Sequence, residues 1–317
     1  MTVSLRSMFL AISLPLCCGC TFQNDSATRT MEESISADGV RQIDVDSFNG
    51  FIKVESHDQQ IIDLRADLKA YGESPEAAEA NCAVLEYRIE SKDGRLQIKA
   101  VRPTAQRSPS MAFTLKVPRD CDLNLKTSNG RIDVTSMSAS VVAKTSNGTV
   151  SCRDVQGSLT IDTSNGTVAI EDAAGPIDVS TSNGRVSYSG QLSGAENSIR
   201  TSNGSVTVQL PPELKTVLSA KTSNGRVKVS LPEVDVQQRT NKLFEGTVGD
   251  ATSSNEVQLK IGTSNGSVTI EPAPSAAADG VKPSNAEVLP AEAETEAETD
   301  SGTKPAAGES AEVDPAG

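Results

Sequence analysis

The chain has very few aromatic residues. It contains no tryptophan, and aromatic side chains make up 3% of its 317 residues. A compact enzyme of this length would normally hold more aromatic mass in its core, so short strands packed with Val, Ile and Ala are the more natural interpretation. The three tyrosines, Tyr71, Tyr87 and Tyr188, would also supply a carbohydrate-stacking groove poorly.

Positive charge and histidine are scarce as well. The formal net charge is −13, with 29 Lys and Arg residues against 42 Asp and Glu residues. Nucleic acid is therefore not an expected partner, because phosphate contacts require clustered Lys and Arg. The single histidine, His57, lies in the polar stretch ESHDQQ, and we interpret it as solvated rather than catalytic.

The N-terminus carries a short targeting segment. Arg6 precedes the apolar run MFLAISLPL (8–16), which is too short to span a bilayer. The pair Gly19-Cys20 resembles a bacterial lipobox, in which the cysteine becomes the lipid-modified first residue, although Cys17 stands where such boxes usually carry Leu. We predict a lipoprotein signal peptide over residues 1–19 with lipidation at Cys20; an ordinary secretory signal is the alternative.

Three cysteines follow that segment: Cys82, Cys121 and Cys152. No pair of them has the spacing of metal ligands. Export would permit a disulfide. A bridge between Cys82 and Cys121 and three separate buried thiols are both open interpretations.

Composition divides the rest of the chain into three regions. Residues 20–38 are polar and are expected to form a tether, and residues 39–272 carry the strands. Residues 273–317 contain ten acids and two lysines among Ala, Glu, Pro and Ser, so they hold −8 of the net charge. We expect this acidic tail to be disordered, because it cannot bury enough apolar surface to offset its ordering entropy.

The central region contains a repeat with the spelling TSNG. Its asparagines follow one another at steps of 18, 18, 18, 20, 21 and 41 residues, and we interpret the last step as two periods with a degenerate copy inside. In most copies apolar residues fall six and four positions before the Asn and three and five positions after it, as in Leu123, Leu125, Ile132 and Val134. This alternation predicts two half-buried strands per repeat.

The same frame reveals two further copies, spelled SFNG and SKDG. We assign the Asn-Gly and Asp-Gly pairs to structural turns, because these residues tolerate φ > 0. The assigned residues are Asn49, Gly50, Asp93, Gly94, Asn129, Gly130, Asn147, Gly148, Asn165, Gly166, Asn183, Gly184, Asn203, Gly204, Asn224, Gly225, Asn265 and Gly266.

Two architectures fit this unit. Asn-Gly is a strong signal for a two-residue hairpin, which would give an antiparallel hairpin-stack sandwich. The alternative is a parallel β-solenoid in which each coil has about 18–21 residues and the identical turns stack in ladders. Looser Gly-bearing turns such as VQGS and AAGP alternate with Asn-Gly, and the period holds at 18 through three steps. We therefore predict an all-β fold, a parallel solenoid of about eight or more coils.

Irregular segments interrupt the array. Residues 74–85 predict a short helix with Ser74 as N-cap and Pro75 at the first helical position. Together with the strand-like stretches IIDLRADLKA and MAFTLKV, this helix-containing insertion (64–115) is expected to cap the open N-terminal end of the solenoid. Residues 233–256 are interpreted as an inserted or distorted coil.

The repeats, the lipobox and the late segment FEGTVGD…VQLKIGTSNGSVTI together resemble the bacterial putative-adhesin family of β-strand-repeat domains, here as a lipoprotein member. The resemblance covers roughly residues 39–272. It implies an envelope-associated β-rich repeat domain of unknown function, and it transfers no catalytic or ligand-binding residue.

No motif in the chain predicts catalysis. Outward positions vary from copy to copy, and the adjacent acids Glu171 and Asp172 need not converge on a substrate. The GGxGxD pattern of calcium β-rolls is absent, and charge at Lys126, Lys144 and Asp162 disfavours a flat ice-binding face. We expect no catalytic residue, no cofactor and no metal.

The function expected from the sequence is that of an exported, lipid-anchored envelope protein with a structural, adhesin-like or binding role. Its expected partners are the membrane, through the lipid anchor, and an envelope protein or glycan. The outer membrane or cell surface is the expected location, rather than the inner membrane. Alternatives are an accessory or sensor lipoprotein of an envelope-stress system and an exported carbohydrate-active β-helix enzyme.

Overall fold

The fold is nearly all β. The computed structural model describes residues 25–103, 108–194, 196–249 and 256–273. The sequence predictions for the signal peptide, for Cys20 and for the acidic tail from residue 274 onwards lie outside the described residues. Within the described residues, no helix has the length and apolar character that crossing a membrane would require.

The elements follow the alternating pattern of the sequence. In chain order they are β1 (Asp25–Ser36), β2 (Gln42–Asp46), β3 (Ile52–His57), β4 (Ile61–Gly72), α1 (Pro75–Ala83), β5 (Glu86–Lys92), β6 (Arg95–Val101), β7 (Ser110–Pro118), β8 (Asp122–Asn129), β9 (Ile132–Met137), β10 (Val141–Asn147), β11 (Val150–Val155), β12 (Leu159–Asn165), β13 (Val168–Ala173), β14 (Ile177–Asn183), β15 (Val186–Gly190), β16 (Asn197–Asn203), β17 (Val206–Leu210), β18 (Thr216–Asn224), β19 (Val227–Val229), β20 (Val234–Arg239), β21 (Leu243–Val248), β22 (Val257–Asn265) and β23 (Val268–Pro272).

The strands form two sheets. In the repeats, the strand that runs into each Asn-Gly turn belongs to a 12-stranded sheet, which we call the incoming sheet, with the order β20-β21-β18-β22-β16-β14-β12-β10-β8-β2-β6-β5. The strand that leaves the turn belongs to an 11-stranded sheet, the outgoing sheet, with the order β1-β4-β7-β3-β9-β11-β13-β15-β17-β23-β19. Each repeat is therefore one coil around a core that lies between the sheets.

Parallel pairing confirms the predicted solenoid. β10 pairs with β12 in register, so Val141 lies opposite Leu159 and Asn147 opposite Asn165. On the other face, β11 pairs in parallel with β13. The antiparallel hairpin-stack alternative is wrong for the Asn-Gly repeats, because the two strands of one repeat lie in different sheets.

The order of the coils departs from the order of the sequence. β22 pairs with β16 on one side and with β18 on the other, so the Asn265 coil lies between the Asn203 and Asn224 coils. The prediction of a degenerate repeat copy within the 41-residue step before Asn265 is wrong. Residues 234–248 instead form strands β20 and β21, which pair antiparallel with each other and with β18 at the end of the incoming sheet.

The copy predicted at Asp93 is a hairpin rather than a coil. β5 and β6 pair antiparallel within the incoming sheet, and Lys92 lies opposite Arg95. Asp93 and Gly94 both have positive φ, at 53° and 77°, which fits a two-residue hairpin turn. The Asn49 copy is a true coil, since β2 pairs with β8 and β3 with β9.

The N-terminal end is capped as predicted, with one correction. Residues 25–36, assigned from the sequence to a tether, form strand β1, which pairs antiparallel with β4 at the edge of the outgoing sheet. Helix α1 covers this end, and the Ser74 hydroxyl accepts a hydrogen bond from the N–H of Ala77, which confirms the predicted N-cap.

The core consists of the inward positions of the repeat frame. In the first copy Leu123, Leu125, Ile132 and Val134 are all buried, and the same positions of the other coils are buried too. The Thr two residues before each TSNG Asn also points inward. The Thr127 and Thr145 hydroxyls donate to the carbonyls of Gly50 and Gly130, so a buried polar group is satisfied by the neighbouring coil.

The Asn-Gly turns use glycine for a reason other than the predicted positive φ. In the seven TSNG copies neither residue has positive φ. A Cβ on Gly166 would lie 1.8 Å from the carbonyl oxygen of Gly148, and the other TSNG glycines meet the glycine of the adjacent coil in the same way. Positive φ occurs instead at the opposite corner of the coils, at Ser136, Asp154 and Asp172.

This close approach predicts the effect of adding one methyl group. Gly166→Ala should destabilise the protein by about 2–4 kcal/mol, because the Cβ would collide with backbone that cannot yield without opening the stack. Gly262→Ala is the control, since a Cβ there meets nothing within 4 Å, and its effect should stay within about 1 kcal/mol of wild type. Urea unfolding of both variants measures this, and equal destabilisation would contradict the proposed contact.

Candidate functional site

The Asn-Gly turns form one continuous edge of the solenoid, which we call the ladder edge. The Asn49 amide donates to the carbonyl of Pro109, and each later asparagine amide donates to the side-chain oxygen of the preceding rung. The donor–acceptor pairs are Asn129 to Asn49 (2.7 Å), Asn147 to Asn129 (2.8 Å), Asn165 to Asn147 (2.9 Å), Asn183 to Asn165 (2.8 Å), Asn203 to Asn183 (2.7 Å), Asn265 to Asn203 (2.7 Å) and Asn224 to Asn265 (2.8 Å).

The asparagines and glycines assigned to the TSNG turns have a structural role, because they hydrogen-bond to neighbouring coils. The backbone N–H of Gly130 donates to the Asn147 carbonyl, and Gly148 donates to Asn165 in the same way. Side chains and backbone of these turns are thus engaged with the next coil. The structure brings the assigned Asn residues of the eight coils together in one row and leaves Asp93 apart in its hairpin.

The groups considered for catalysis do not converge. His57 contacts the carbonyl of Ile61 at 2.9 Å and accepts from the N–H of Gln59, so it holds the turn between β3 and β4. Glu171 pairs with Arg153 at 2.6 Å on the outgoing sheet, while Asp172 sits in the positive-φ corner. Among the residues that the structure describes, no three His, Cys, Asp or Glu side chains are placed to hold a metal ion.

The three cysteines are separate buried thiols, so the disulfide between Cys82 and Cys121 does not form. Burial raises the pKa of the Cys121 thiol to about 11, with Asp120 and Asp122 adding to the shift. Burial beside Asp133 raises the pKa of Cys152 to about 12. A raised pKa keeps a thiol protonated and unreactive at neutral pH.

An apolar cleft opens at the N-terminal end, between the edge strands β1 and β5. It has a volume of about 330 Å³ and is lined by Met31, Ile35, Leu85 and Leu96. The Tyr87 hydroxyl crosses it and donates to the Glu33 carboxylate at 2.6 Å, and burial together with this bond raises the pKa of Tyr87. Arg29 of β1 also crosses it and donates to the carbonyl of Leu85 at 2.5 Å, so the cleft is an apolar surface bridged by two polar contacts.

A second concavity lies on the outer face of the incoming sheet. It has a volume of about 440 Å³. Its walls are Arg200 on β16 and Lys221 on β18, and Gly262 on β22 lies between them. We call this concavity the Gly262 notch. A row of serines borders it, namely Ser182, Ser202, Ser264 and Ser223.

Sequence reasoning missed the Gly262 notch. Arg200 and Lys221 belong to consecutive copies in the sequence, and Gly262 belongs to the last one. The three meet because the last coil inserts between the other two. The 41-residue step before Asn265 was the available signal, since an interrupted period marks a place where coil order can change.

The buried thiols predict a simple titration. In the chain from Thr21 to Gly317, a thiol reagent at pH 8 should label none of the three cysteines in the native protein, because burial shields them and raises their pKa values. After denaturation without reductant, all three should react. A single reactive thiol after denaturation would contradict the structure, because it would reveal a disulfide.

The ladder predicts a pattern of deamidation. Asn-Gly deamidates when the glycine nitrogen attacks the asparagine side-chain carbon, and this attack requires the amide to leave its hydrogen bonds. Asn165 lies between two rungs, whereas Asn224 ends the row and its side-chain oxygen accepts no bond from a described residue. Native protein aged at pH 8.5 should therefore deamidate fastest at Asn224, as measured by mass spectrometry of peptides.

The denatured chain is the control for that experiment, because the seven TSNG sites then share the same local sequence and should react at similar rates. Equal rates at Asn165 and Asn224 in the native protein would show that the ladder does not protect its interior rungs.

Comparison with known proteins places this fold in a family. No curated protein matches the chain. A crystal structure of a putative cell adhesion protein from Clostridium sporogenes is similar at 10% identity and a TM-score of 0.36, over 78% of this chain and 100% of that one. A putative adhesin from Bacteroides fragilis is similar at 13% identity and a TM-score of 0.38, over 77% and 97% of the two chains.

The model of one family, described as Toastrack DUF4097, matches residues 29–271. This range contains most of β1 and all eight Asn-Gly turns of the ladder edge. The match confirms the family resemblance found in the sequence. The chain belongs to the Toastrack DUF4097 family.

Proposed function

We propose that the protein is a lipid-anchored envelope protein with a non-catalytic, adhesin-like binding role. The observation that carries this proposal is the solenoid itself, in which parallel coils hold two outer faces of polar side chains in a fixed register. Such faces suit binding over an extended surface. Charged groups on them pair locally, as Arg131 does with Asp133 at 2.7 Å.

The proposed anchor would hold the folded domain close to a membrane. Cys20 precedes the first residue of β1, Asp25, by five positions, and five residues span at most about 18 Å. Asp25 pairs with Gly72 at the N-terminal end of the solenoid, near α1. The coils at the other end, including the Gly262 notch, would then remain free for a partner.

The proposed location is the outer membrane or cell surface, and the short spacing from Cys20 to Asp25 would keep the domain at the membrane surface rather than on a long tether. The proposal rests on the solenoid and on the lipobox.

A fractionation experiment tests the anchor. Wild-type protein expressed in a lipoprotein-processing bacterium should incorporate a labelled fatty acid and sediment with membranes, because acyl chains supply the affinity. Cys20→Ser should abolish labelling and release the protein, while the control Cys18→Ser should behave as wild type. Membrane retention of Cys20→Ser without label would contradict the anchor.

The non-catalytic role is tested with the purified chain from Thr21 to Gly317 and isolated envelope material. It should bind and sediment with that material without shortening its glycans or releasing fragments. Time-dependent cleavage of the glycans would contradict the proposed role and favour the carbohydrate-active alternative.

A second candidate is an accessory or sensor lipoprotein that binds a membrane protein. The apolar cleft between β1 and β5 favours it, as does the exposed edge strand β20, where Val236 is 43% exposed. Crosslinking from Val236 to one inner-membrane regulator, lost in Val236→Lys, would favour this candidate over an adhesin.

A further inference from the structure

The Gly262 notch is a gap in an otherwise filled row. Three residues before the Asn of each coil, the side chain points outward from the incoming sheet; at Arg200, Gly262 and Lys221 these positions lie side by side on three neighbouring strands. A Cβ on Gly262 would meet nothing within 4 Å. The missing side chain therefore leaves open space between two cationic ones.

The notch has the dimensions of a site for one acidic group. Neighbouring strands lie about 4.8 Å apart, so the Cα atoms of Arg200 and Lys221 are separated by about 9.6 Å. Both side chains are long enough to reach over Gly262 from opposite sides. Lys260 is exposed on the same face of β22, two residues before Gly262, and adds a third cation nearby.

The cations are only partly neutralised by the protein. Arg200 contacts Asp178 at 3.4 Å, and Asp178 also accepts a hydrogen bond from Ser198. Within the described residues, Lys221 and Lys260 take part in no ion pair. Two further acids lie nearby on the same sheet. Glu245 on β21 lies opposite Ser219, diagonal to Lys221, and Asp162 on β12 lies two strands from Arg200 in the same row. The notch itself is therefore bordered by Lys221 and Lys260 as cations without an ion-pair partner among the described residues.

We propose that the Gly262 notch binds an acidic group, carboxylate or phosphate, of an anionic glycan. This inference deepens the proposed binding role and rests on it. Arg200 and Lys221 bind the anion from two sides, and charge-assisted hydrogen bonds of this kind are the stronger ones. The serine hydroxyls of Ser202, Ser264 and Ser223 donate to and accept from the sugar hydroxyls that flank the acidic group.

The lining of the notch favours a glycan over nucleic acid. Its outward groups are hydroxyls, two cations and open backbone space, and no aromatic side chain lines it to stack on a base. Two to three cations also fall short of the cluster that a phosphate backbone requires. The row of serines continues across successive strands, which suits a linear chain of sugars running along the solenoid axis.

Direct binding measurements with matched variants test the proposal. The purified chain from Thr21 to Gly317 is titrated with polygalacturonate, with a phosphorylated mannan and with neutral dextran. We expect binding to at least one of the two anionic polymers and none to dextran. The anionic polymer that binds identifies carboxylate or phosphate as the recognised group.

Two variants remove the site in different ways. Lys221→Glu reverses one wall of the notch, and Gly262→Gln fills the gap without changing charge. Each should weaken binding by about tenfold or more, which corresponds to about 1.4 kcal/mol. Both positions are on the outer face, and thermal unfolding should confirm that each variant folds like wild type.

Lys144→Glu is the matched control. Lys144 occupies the same position of the repeat frame as Lys221, on β10, where Lys126 and Asp162 fill the neighbouring positions. This variant should change binding by less than about twofold. Equal loss in Lys144→Glu would show that only the general charge of the sheet matters, and full binding by Gly262→Gln would place the polymer elsewhere; either result overturns the proposal.

Further outcomes separate this inference from the proposed function. Equal binding of a poly-glutamate peptide would overturn the glycan assignment, and so would no binding to either anionic polymer. The fractionation of the full-length protein does not depend on Lys221, so Lys221→Glu should still sediment with membranes. Loss of polymer binding in Lys221→Glu with retained anchoring thus supports the notch, whereas membrane retention of Cys20→Ser without label would contradict the proposed anchor and leave the notch standing.

Discussion

The contact on which this fold depends is the approach of one glycine backbone to the next along the ladder edge. A Cβ at Gly166 would stand 1.8 Å from the Gly148 carbonyl oxygen, so no other residue fits this position. Because adjacent coils can approach in this way only when their glycines coincide, the contact fixes the register of both sheets. The asparagine ladder and the inward threonines then follow from that register, since identical residues stand at identical heights in every coil.

A stack of parallel coils leaves four sheet edges, and antiparallel strands occupy three of them; the fourth is β19, which pairs in parallel with β23. At the N-terminal end β1 and β4 extend the outgoing sheet, and the β5–β6 hairpin extends the incoming one. At the other end β20 and β21 pair beyond β18. Antiparallel strands at these three edges interrupt the repeat, which limits pairing between the edges of different molecules. The edge strand β1 carries Arg29, Glu32 and Glu33. Charged side chains on an edge strand also disfavour pairing with strands of other molecules.

Much of the fold could be predicted from local pattern, because the period-2 alternation reports which side chains face the core. It located the buried pair Ile43 and Val45 of a copy without the TSN spelling. The same pattern could not distinguish the coil at Asn49 from the hairpin at Asp93, since both place apolar residues symmetrically about a turn. The alternation pattern also missed β1. The positions of this edge strand are half-buried or exposed, so it contains few apolar residues and has the polar composition expected of a tether.

Coil order is the property that local pattern does not encode. Each copy carries the same Thr, Asn and Gly, so any coil can stack on any other at the ladder edge, and the neighbour of a coil is decided by the connecting segments. The stretch from 234 to 248 turns back along the incoming sheet before β22 begins, and β22 then takes the place between β16 and β18. The contacts along the ladder edge are the same whichever coils are neighbours. The changed coil order therefore alters only the outward positions, where the copies differ. The Gly262 notch is such a consequence: a repeat built from interchangeable turns acquires a distinct site where an inserted coil sets a missing side chain between Arg200 and Lys221.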